Sequence, residues 1–147
     1  MIFREASIND AKRCDELLTQ LIEDEYINYD DSLSPLVVDD FYKNILVREN
    51  TKIILCEEKG KIVGYIYAYL TEEKHILIDA LFVLPEYRNR KIATKLIDGI
   101  KLWAKEDDVS IIEISVLSKN ERAKHLYNKL GFITFKETLR LNEGNNN

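Results

Sequence analysis

The chain has 147 residues, of which 32% are charged and 46% apolar, with five Gly and two Pro. This length and composition are typical of one compact domain with a substantial core, and they exclude a disordered or fibrous chain. No apolar run reaches the roughly 18 to 20 residues that a membrane span needs, and the first residues lack the pattern of a signal peptide. We therefore expect a cytoplasmic protein that does not enter a membrane.

The net charge of −5 is distributed unevenly along the chain. Residues 1–50 contain twelve acidic and five basic side chains, whereas residues 51–147 contain fourteen acidic and sixteen basic ones. Nucleic-acid binding depends largely on neutralising phosphates, so an acidic chain is a poor general binder of DNA or RNA. We expect the two parts of the chain to face different partners, with phosphate bound only at a local basic cluster.

The first half of the chain predicts a strand followed by two helices. Residues 1–5 form the strand, and Asn9 or Asp10 can cap a helix whose apolar positions recur at helical spacing as far as Ile22. An acidic segment at residues 23–31, with five carboxylates and two tyrosines, follows as a loop. Ser34 and Pro35 then predict the start of a second helix.

The second half predicts a meander, two helices and two more strands. Three consecutive strands at residues 52–56, 62–70 and 75–84 form an antiparallel meander. A helix at 93–104, a strand at 110–116, a helix with a capping box at Ser118 and Glu121, and a last strand at 132–141 follow. The order predicts a mixed α/β fold with a largely antiparallel sheet and about four helices, in one domain at residues 1–142 with a disordered tail at 143–147.

Several kinds of site are absent from the sequence. It contains no GxSxG, HExxH, GxxxxGK[ST] or GxGxxG pattern. Cys14 and Cys56 form no CxxC pair and lie on apolar faces, so we expect two small buried residues and no metal site. We expect His75 and His125 to be surface or edge residues.

The turn at residues 85–95 joins a strand to a helix and is strongly basic. From Arg88 to Lys95 it contains four basic residues and no acidic one. A helix start exposes about four unpaired N–H groups and roughly half a positive charge, so added cations there indicate an anion site. The alternative is a solvated basic turn.

Two segments resemble motifs of the GNAT N-acetyltransferase superfamily. Residues 78–93 resemble the acetyl-coenzyme A motif, [QR]xxGx[GA] after a strand, and residues 120–132 resemble the family's second motif. The two segments occur at the family's usual separation, and the element order matches over about residues 1–141. The matching residues of the second motif are Asn120, Ala123, Leu126, Tyr127, Leu130, Gly131 and Phe132.

The resemblance implies a GNAT-like fold and acetyl-coenzyme A as co-substrate. It implies that the strand 81–83 pairs with the pantetheine arm, that the amides of the loop 88–94 hold the pyrophosphate, and that Asn120 bonds the coenzyme arm. Lys91 stands where the family has glycine, and we expect it to be helical and therefore unstrained. The implied coenzyme-binding residues are Leu81, Phe82, Val83, Arg88, Asn89, Arg90, Lys91, Ile92, Ala93, Thr94 and Asn120.

Two residues are candidates for proton transfer. Tyr127 matches the family tyrosine that protonates the departing thiolate, although its spacing alone is also that of a core residue. An alkylamine with a pKa near 10.4 must lose a proton, which costs about 4.6 kcal/mol at pH 7. Asp79 lies on the central strand among apolar neighbours and is our candidate base; otherwise its side chain points outward at a strand edge.

The acidic segment is a candidate acceptor site, because the region after the first helix often lines the acceptor side in this family. Glu25, Tyr26, Tyr29 and Asp30 could hold a cationic amine by charge and cation–π contact. The alternative is a solvated acidic loop.

The sequence therefore predicts an N-acetyltransferase that acts by direct attack on a primary amine, in a small cationic metabolite or antibiotic. The alternatives are a protein N-terminal or lysine acetyltransferase, and a non-catalytic coenzyme-binding sensor. Apolar residues on the last predicted strand could support a homodimer.

Overall fold

The computed structural model describes residues 1–32 and 34–144. Residues 145–147 of the tail that we expected to be disordered lie outside the described residues. The elements, in chain order, are β1 Ile2–Glu5, α1 Ala11–Asn28, α2 Tyr42–Ile45, β2 Thr51–Glu58, β3 Lys61–Leu70, β4 Ile76–Val83, α3 Ile92–Glu106, β5 Ile112–Ile114 and α4 Glu121–Lys129. The architecture is the mixed α+β fold that the sequence predicted.

The five strands form one sheet in the order β1-β2-β3-β4-β5. The first four are antiparallel neighbours, so the predicted meander is confirmed, and β5 runs parallel to β4. Lys59 and Gly60 both have positive φ in the β2–β3 turn, as a two-residue type I′ hairpin requires.

Helices cover both faces of the sheet. On one face α3 packs so closely that a Cβ on Gly99 would collide with the Cδ1 atom of Ile54. On the other face the Tyr42 ring of α2 packs edge-on against Tyr65 and Tyr67 of β3. The Tyr42 and Tyr65 hydroxyls are 2.9 Å apart and fully buried, so this polar pair is satisfied inside the core.

The second helix is much shorter than predicted. Residues 34–39 are not helical, and α2 begins only at Tyr42, so the predicted start at Ser34 and Pro35 is wrong. Side chains of α1 accept the backbone donors of this segment instead: the Val38 N–H bonds Thr19 Oγ1 at 2.9 Å, and the Tyr42 N–H bonds Asp15 Oδ1 at 3.0 Å.

Two further predictions about the C-terminal half are wrong. Asn120, and not Ser118, caps α4, because Asn120 Oδ1 accepts the Ala123 N–H at 3.1 Å. The predicted last strand at 132–141 is not paired in the described chain, so its residues form no strand.

Cys14 and Cys56 are fully buried free thiols, as expected. Burial raises the pKa of Cys14 to about 12, so this thiol is unreactive near neutral pH. Within residues 1–32 and 34–144, no helix combines the length and the apolar character needed to cross a membrane.

Candidate active site

A cleft opens where β4 and β5 separate. The parallel ladder between them ends at the pair Ile78 and Ile114, and beyond this point the two strands diverge. The resulting cleft has a volume of about 620 Å³, within the usual range of ligand sites. Its walls come from β4, from the chain after β5, from the start of α3, from α4 and from the C-terminal half of α1.

Asp79, which lines this cleft, is the extra residue of a β-bulge. Tyr67 and Ala68 of β3 are consecutive, yet their partners on β4 are Ala80 and Ile78, so Asp79 has no partner on β3. Bulges redirect side chains and are common beside active sites. The Asp79 side chain lines the cleft, and desolvation raises the pKa of its carboxyl group.

The loop before α3 lines the cleft with its backbone in an unusual conformation. Asn89 and Lys91 have φ of 65° and 63°, in the left-handed region. The expectation that Lys91 is helical is therefore wrong: it precedes α3 and occupies a conformation that favours glycine. Alternating backbone handedness ahead of a helix creates a concavity that binds anions, which suits the pyrophosphate role that the resemblance implies.

Arg88 connects this loop to the end of β4 and to α1. Its Nε donates to the Val83 carbonyl at 2.9 Å, and its guanidinium lies 5.5 Å from the centre of the Phe82 ring. Its terminal nitrogen is 3.9 Å from a carboxylate oxygen of Asp24. Desolvation and the nearby charge of Arg122 lower the pKa of Arg88. The cleft therefore contains two arginines within electrostatic reach of each other.

Tyr127 is held in the cleft by the turn that ends α4. The Phe132 N–H bonds the Tyr127 carbonyl at 3.0 Å and the Gly131 N–H bonds the Asn128 carbonyl at 3.1 Å, which is a Schellman motif. The rings of Tyr127 and Phe132 meet edge-on at 5.9 Å. Burial raises the pKa of Tyr127 to about 12, so its hydroxyl stays protonated at neutral pH.

The apolar stripe of α4 faces this cleft. Tyr127 therefore packs with the other residues of the stripe and lines the site as well. Ala123, Leu126, Tyr127 and Leu130 are all half-buried and all line the cleft. Asn120 lines it as well, and its Oδ1 is used by the helix cap. The amide NH₂ of Asn120 is the group that could bond a ligand.

The acidic segment is not the loop that the sequence predicted, since α1 continues to Asn28. Glu25 lines the cleft, and desolvation together with the charges of Asp24 and Asp30 raises its pKa. Asp30 does not line the cleft and bonds Arg140 and Ser32 instead.

Three other predicted site residues are also outside the cleft. Tyr26 and Tyr29 do not line it, and Arg90 instead stacks on the Tyr87 ring at 5.1 Å. The remaining predicted coenzyme residues all line the cleft: Leu81, Phe82, Val83, Arg88, Asn89, Lys91, Ile92, Ala93, Thr94 and Asn120.

Sequence reasoning missed three charged residues that line the cleft, Asp24, Arg122 and Lys129. Arg122 lies in the first turn of α4, where a cation opposes the helix dipole, and the same signal had marked the turn at Arg88. Asp24 had no distinguishing feature within the acidic segment, because its contact with Arg88 joins residues 64 positions apart.

The chain belongs to the acetyltransferase (GNAT) family, whose model matches residues 15–132. It is 31% identical over 98 residues to the uncharacterized N-acetyltransferase MJ1207 of Methanocaldococcus jannaschii, covering 63% of this chain and 43% of that one. It is 30% identical over 109 residues to the N-terminal acetyltransferase B catalytic subunit NAA20 of Arabidopsis thaliana, covering 71% and 63%. The chain thus aligns with only part of each relative.

Solved structures share the fold over nearly the whole chain. A tetramutant of the BH1408 protein from Bacillus halodurans superposes with a TM-score of 0.85 at 26% identity, over 97% of this chain and 99% of that one. The aminoglycoside acetyltransferase HMB0005 from a soil metagenomic sample gives a TM-score of 0.71 at 26% identity, over 96% and 95%.

Proposed function

We propose that this chain transfers an acetyl group from acetyl-coenzyme A to the primary amine of a small cationic molecule. One observation carries the proposal: the same cleft contains a basic loop before α3 with two left-handed residues, an open stretch of β4, a protonated tyrosine and the carboxylates of Glu25 and Asp79. Acetyl-coenzyme A supplies an activated thioester and an anionic pyrophosphate. The protein supplies the binding, orientation and proton transfer that remain.

The residues of the cleft fit this co-substrate. Arg88, Lys91 and Arg122 provide positive charge, and α3 begins at the same wall with free N–H groups. Beyond Ile78 the edge of β4 that faces β5 has no ladder with any part of the chain that the structure describes, so its backbone can pair with the amides of an extended arm. The Asn120 amide also lines the cleft and is a further donor.

Proton transfer is assigned to two residues. The Tyr127 hydroxyl, with its raised pKa, donates a proton to the departing sulfur. The Asp79 carboxylate, directly or through water, takes a proton from the attacking amine. Holding both reactants in one cleft supplies much of the remaining acceleration, and backbone N–H groups of β4 stabilise the developing oxyanion.

The acceptor is assigned to the α1 side of the cleft. Glu25 lies near the C-terminal end of α1, where the helix dipole is already negative, so this position attracts a cation. The charge of Glu25 also raises the pKa of Tyr127, so the two groups are within electrostatic reach. A small amine is supported by the likeness to an aminoglycoside acetyltransferase at 26% identity.

A protein N-terminus is the second candidate acceptor, because the relative NAA20 is named as an N-terminal acetyltransferase subunit. Acetyl transfer to a small amine and to a protein N-terminus uses the same chemistry. The two proposed functions therefore differ only in the molecule that carries the accepting amine. A peptide acceptor presents one ammonium followed by an extended backbone, whereas a polyamine or aminoglycoside presents several cations.

The test combines calorimetry with acetyl-coenzyme A and a thiol-release assay over a panel of polyamines, aminoglycosides, amino acid derivatives and N-terminal peptides. We expect binding of the coenzyme and turnover on a cationic small amine. Turnover on peptides alone would favour the second candidate, binding without turnover on any amine would indicate a sensor, and an absence of binding would reject both enzyme proposals.

A further inference from the structure

Tyr67 of β3 is a buried tyrosine whose hydroxyl the core does not use. Only 4% of the residue is exposed, and its ring packs edge-on against Tyr42 with the ring centres 5.5 Å apart. Tyr42 and Tyr65, in the same cluster, hydrogen-bond each other. Within residues 1–32 and 34–144, no hydrogen bond joins the Tyr67 hydroxyl to another group. A phenylalanine would pack equally well, and buried polar groups normally have a partner, so this hydroxyl indicates a partner outside the chain.

The oxygen of this hydroxyl still touches solvent. In the part of the chain that the structure describes, every completely enclosed side-chain oxygen or nitrogen has a hydrogen-bond partner. The Tyr67 oxygen has none, so it is not completely enclosed. Tyr69 also packs on the Tyr67 ring, with the ring centres 6.1 Å apart. The ring is therefore fixed by its neighbours while its polar tip stays accessible, so a ligand that bonds the hydroxyl loses little affinity to the ordering of this side chain.

The bulge in β4 places Asp79 next to Tyr67. At a bulge, two residues of one strand oppose a single residue of the neighbouring strand. Ala80 is the register partner of Tyr67, and Ile78 is that of Ala68, so Asp79 and Ala80 both lie opposite Tyr67. Burial, and after it the charge of Asp79, raises the pKa of Tyr67 to about 12, which agrees with a hydroxyl near this carboxylate. Asp79 itself lines the cleft.

A carboxylate beside a neutral hydroxyl suits an amine that must first bind as an ammonium ion and then lose a proton. An alkylammonium has three N–H donors, and the oxygens of Asp79 and Tyr67 are both acceptors. A second carboxylate in place of Tyr67 would raise the pKa of the amine and oppose its deprotonation, whereas a hydroxyl binds the nitrogen without adding charge. Arg48 is exposed and affects the pKa of Tyr67 less than Asp79 does, so the carboxylate dominates here.

We propose that the Tyr67 hydroxyl binds the nitrogen of the acceptor amine beside Asp79 and orients it towards the thioester. This inference rests on the proposed acetyl transfer and names a residue that determines how the acceptor is held. The Tyr67 oxygen accepts one N–H of the ammonium, while a second N–H bond breaks and its proton passes to the Asp79 carboxylate, directly or through water. The electron pair left on nitrogen then forms the bond to the thioester carbon. Tyr67 keeps its own proton throughout and acts as a binding group.

The first experiment compares Tyr67→Phe with the native chain in the thiol-release assay. The hydroxyl contacts the amine before and during the reaction, so KM for the amine should rise about tenfold while kcat stays within threefold. The coenzyme Kd and the unfolding temperature should not change, because the ring is retained and the hydroxyl bonds no group of the described chain. Tyr69→Phe, on the same strand opposite Leu77, is the matched control and should leave KM within twofold. An unchanged KM in Tyr67→Phe, or an equal rise in both variants, would overturn the proposal.

The second experiment observes the hydroxyl without turnover. Tyrosine labelled with ¹³C at the ring carbon that bears the oxygen gives one NMR signal for each of the eight tyrosines, and the signal missing from Tyr67→Phe is that of Tyr67. We expect putrescine, kanamycin or the best substrate of the amine panel, added with free coenzyme A, to shift this signal saturably, and uncharged butanediol to leave it in place. A shift in a chain that acetylates no amine would support the amine site and reject the proposed function. A Tyr67 signal that none of these amines shifts would overturn the inference, even in an active enzyme.

Discussion

At the scale of single residues, Tyr127 shows how a local turn sets the chemistry of a side chain. The Schellman turn fixes the end of α4, and the contact with Phe132 fixes the ring, while burial keeps the hydroxyl protonated. The spacing of Tyr127 is equally that of a core residue, and the structure shows that the stripe it belongs to forms a wall of the cleft.

Tyr127→Phe should therefore lower kcat at least tenfold, because the thiolate must leave without its proton donor. The coenzyme Kd should change less than twofold, since the ring and its packing are retained. Steady-state kinetics and calorimetry on the same preparation measure the two quantities. An unchanged kcat would reject the acid role.

The backbone conformation of Lys91 lowers the stability of the fold, whereas its charge favours binding of acetyl-coenzyme A. A left-handed conformation costs a residue other than glycine about 1 kcal/mol or more. Lys91→Gly should thus raise the free energy of unfolding relative to Lys91→Ala by about 1 kcal/mol. Both variants remove the same charge, so both should weaken acetyl-coenzyme A binding to a similar extent.

Urea unfolding measures the stability difference, and calorimetry measures the affinity. Asn89→Gly is the control for the first quantity, because asparagine tolerates the left-handed region and a smaller gain is expected there. Equal stability of the two Lys91 variants would show that the loop does not hold this conformation in solution.

Glu25 and Asp79 are assigned separate roles, one in binding and one in proton transfer, and pH separates them. The pKa of Asp79 is raised, and only its ionised form accepts a proton, so kcat/KM should rise with pH through that raised pKa. Asp79→Asn should lower kcat by about a hundredfold and abolish this rise. Glu25→Gln should instead raise KM for a cationic amine several-fold and leave kcat within threefold.

The pH profile of each variant, measured with one amine, checks this division. If Glu25→Gln removed the rise with pH and Asp79→Asn left it intact, the two roles would be exchanged. Tyr127 adds no limb to the profile below its pKa of about 12.

At the scale of elements, the cleft exists because two strands start together and then separate. The β4–β5 ladder has three register pairs, and the bulge at Asp79 begins immediately after the last of them. Asn120 is the N-cap of α4: its side-chain Oδ1 accepts the Ala123 N–H, while its side-chain NH₂ remains available to a ligand. One side chain therefore has a structural and a proposed binding role.

Substitutions at Asn120 can separate these roles. Asn120→Asp keeps an oxygen cap and suits the helix dipole, so stability should be nearly unchanged while coenzyme affinity falls at least fivefold. Asn120→Ala removes the cap as well and should cost about 1 kcal/mol of unfolding free energy. Thermal unfolding and calorimetry read the two effects, and an unchanged affinity in Asn120→Asp would remove Asn120 from the coenzyme site.

At the scale of the whole molecule, one ion network joins the N-terminal strand, the entry to α1 and the second strand. Arg4 bonds both carboxylate oxygens of Asp10 at 2.9 and 3.0 Å and reaches Glu57 at 3.1 Å. Asp10 is only 8% exposed, and its hydrogen bond with Arg4 lowers its pKa.

This network predicts the pH dependence of stability. Because the folded pKa of Asp10 is below the unfolded value near 3.9, its contribution is complete above that value and is lost as pH falls through the folded pKa. Arg4→Met should cost about 2 kcal/mol at pH 7, less than for a fully buried pair, and the difference should shrink by pH 2.

Urea unfolding of both proteins at pH 7 and pH 2 measures the change. Lys43→Met, which breaks an exposed pair with Asp40, is the control and should cost less than about 0.5 kcal/mol at either pH. A cost for Arg4→Met that is the same at both values would mean that Asp10 is not its partner in solution.

The meander, the long helix α3 and the basic turn before it could be predicted from the sequence, because apolar periodicity and the proline that ends β4 are local signals. The resemblance to the GNAT motifs predicted Tyr127 and most of the loop as site residues, and the position of Asp79 on the central strand made it the candidate base; all of these line one cleft. The sequence could not determine the length of α2, where Thr19 and Asp15 of a distant helix accept the backbone donors. Nor could it determine that Lys91 is left-handed, since side-chain identity favours the opposite conformation.

Which acidic residues reach the cleft depends on contacts between distant parts of the chain. Glu25 and Asp24 line the cleft, whereas Asp30 pairs with Arg140. This difference depends on the residue at which α1 ends and on the direction that its last turns face. Likewise, periodicity predicts a strand at residues 132–141, but these residues form no ladder in the described chain. Local patterns fix the propensity of each segment, and long-range contacts select which propensities are realised.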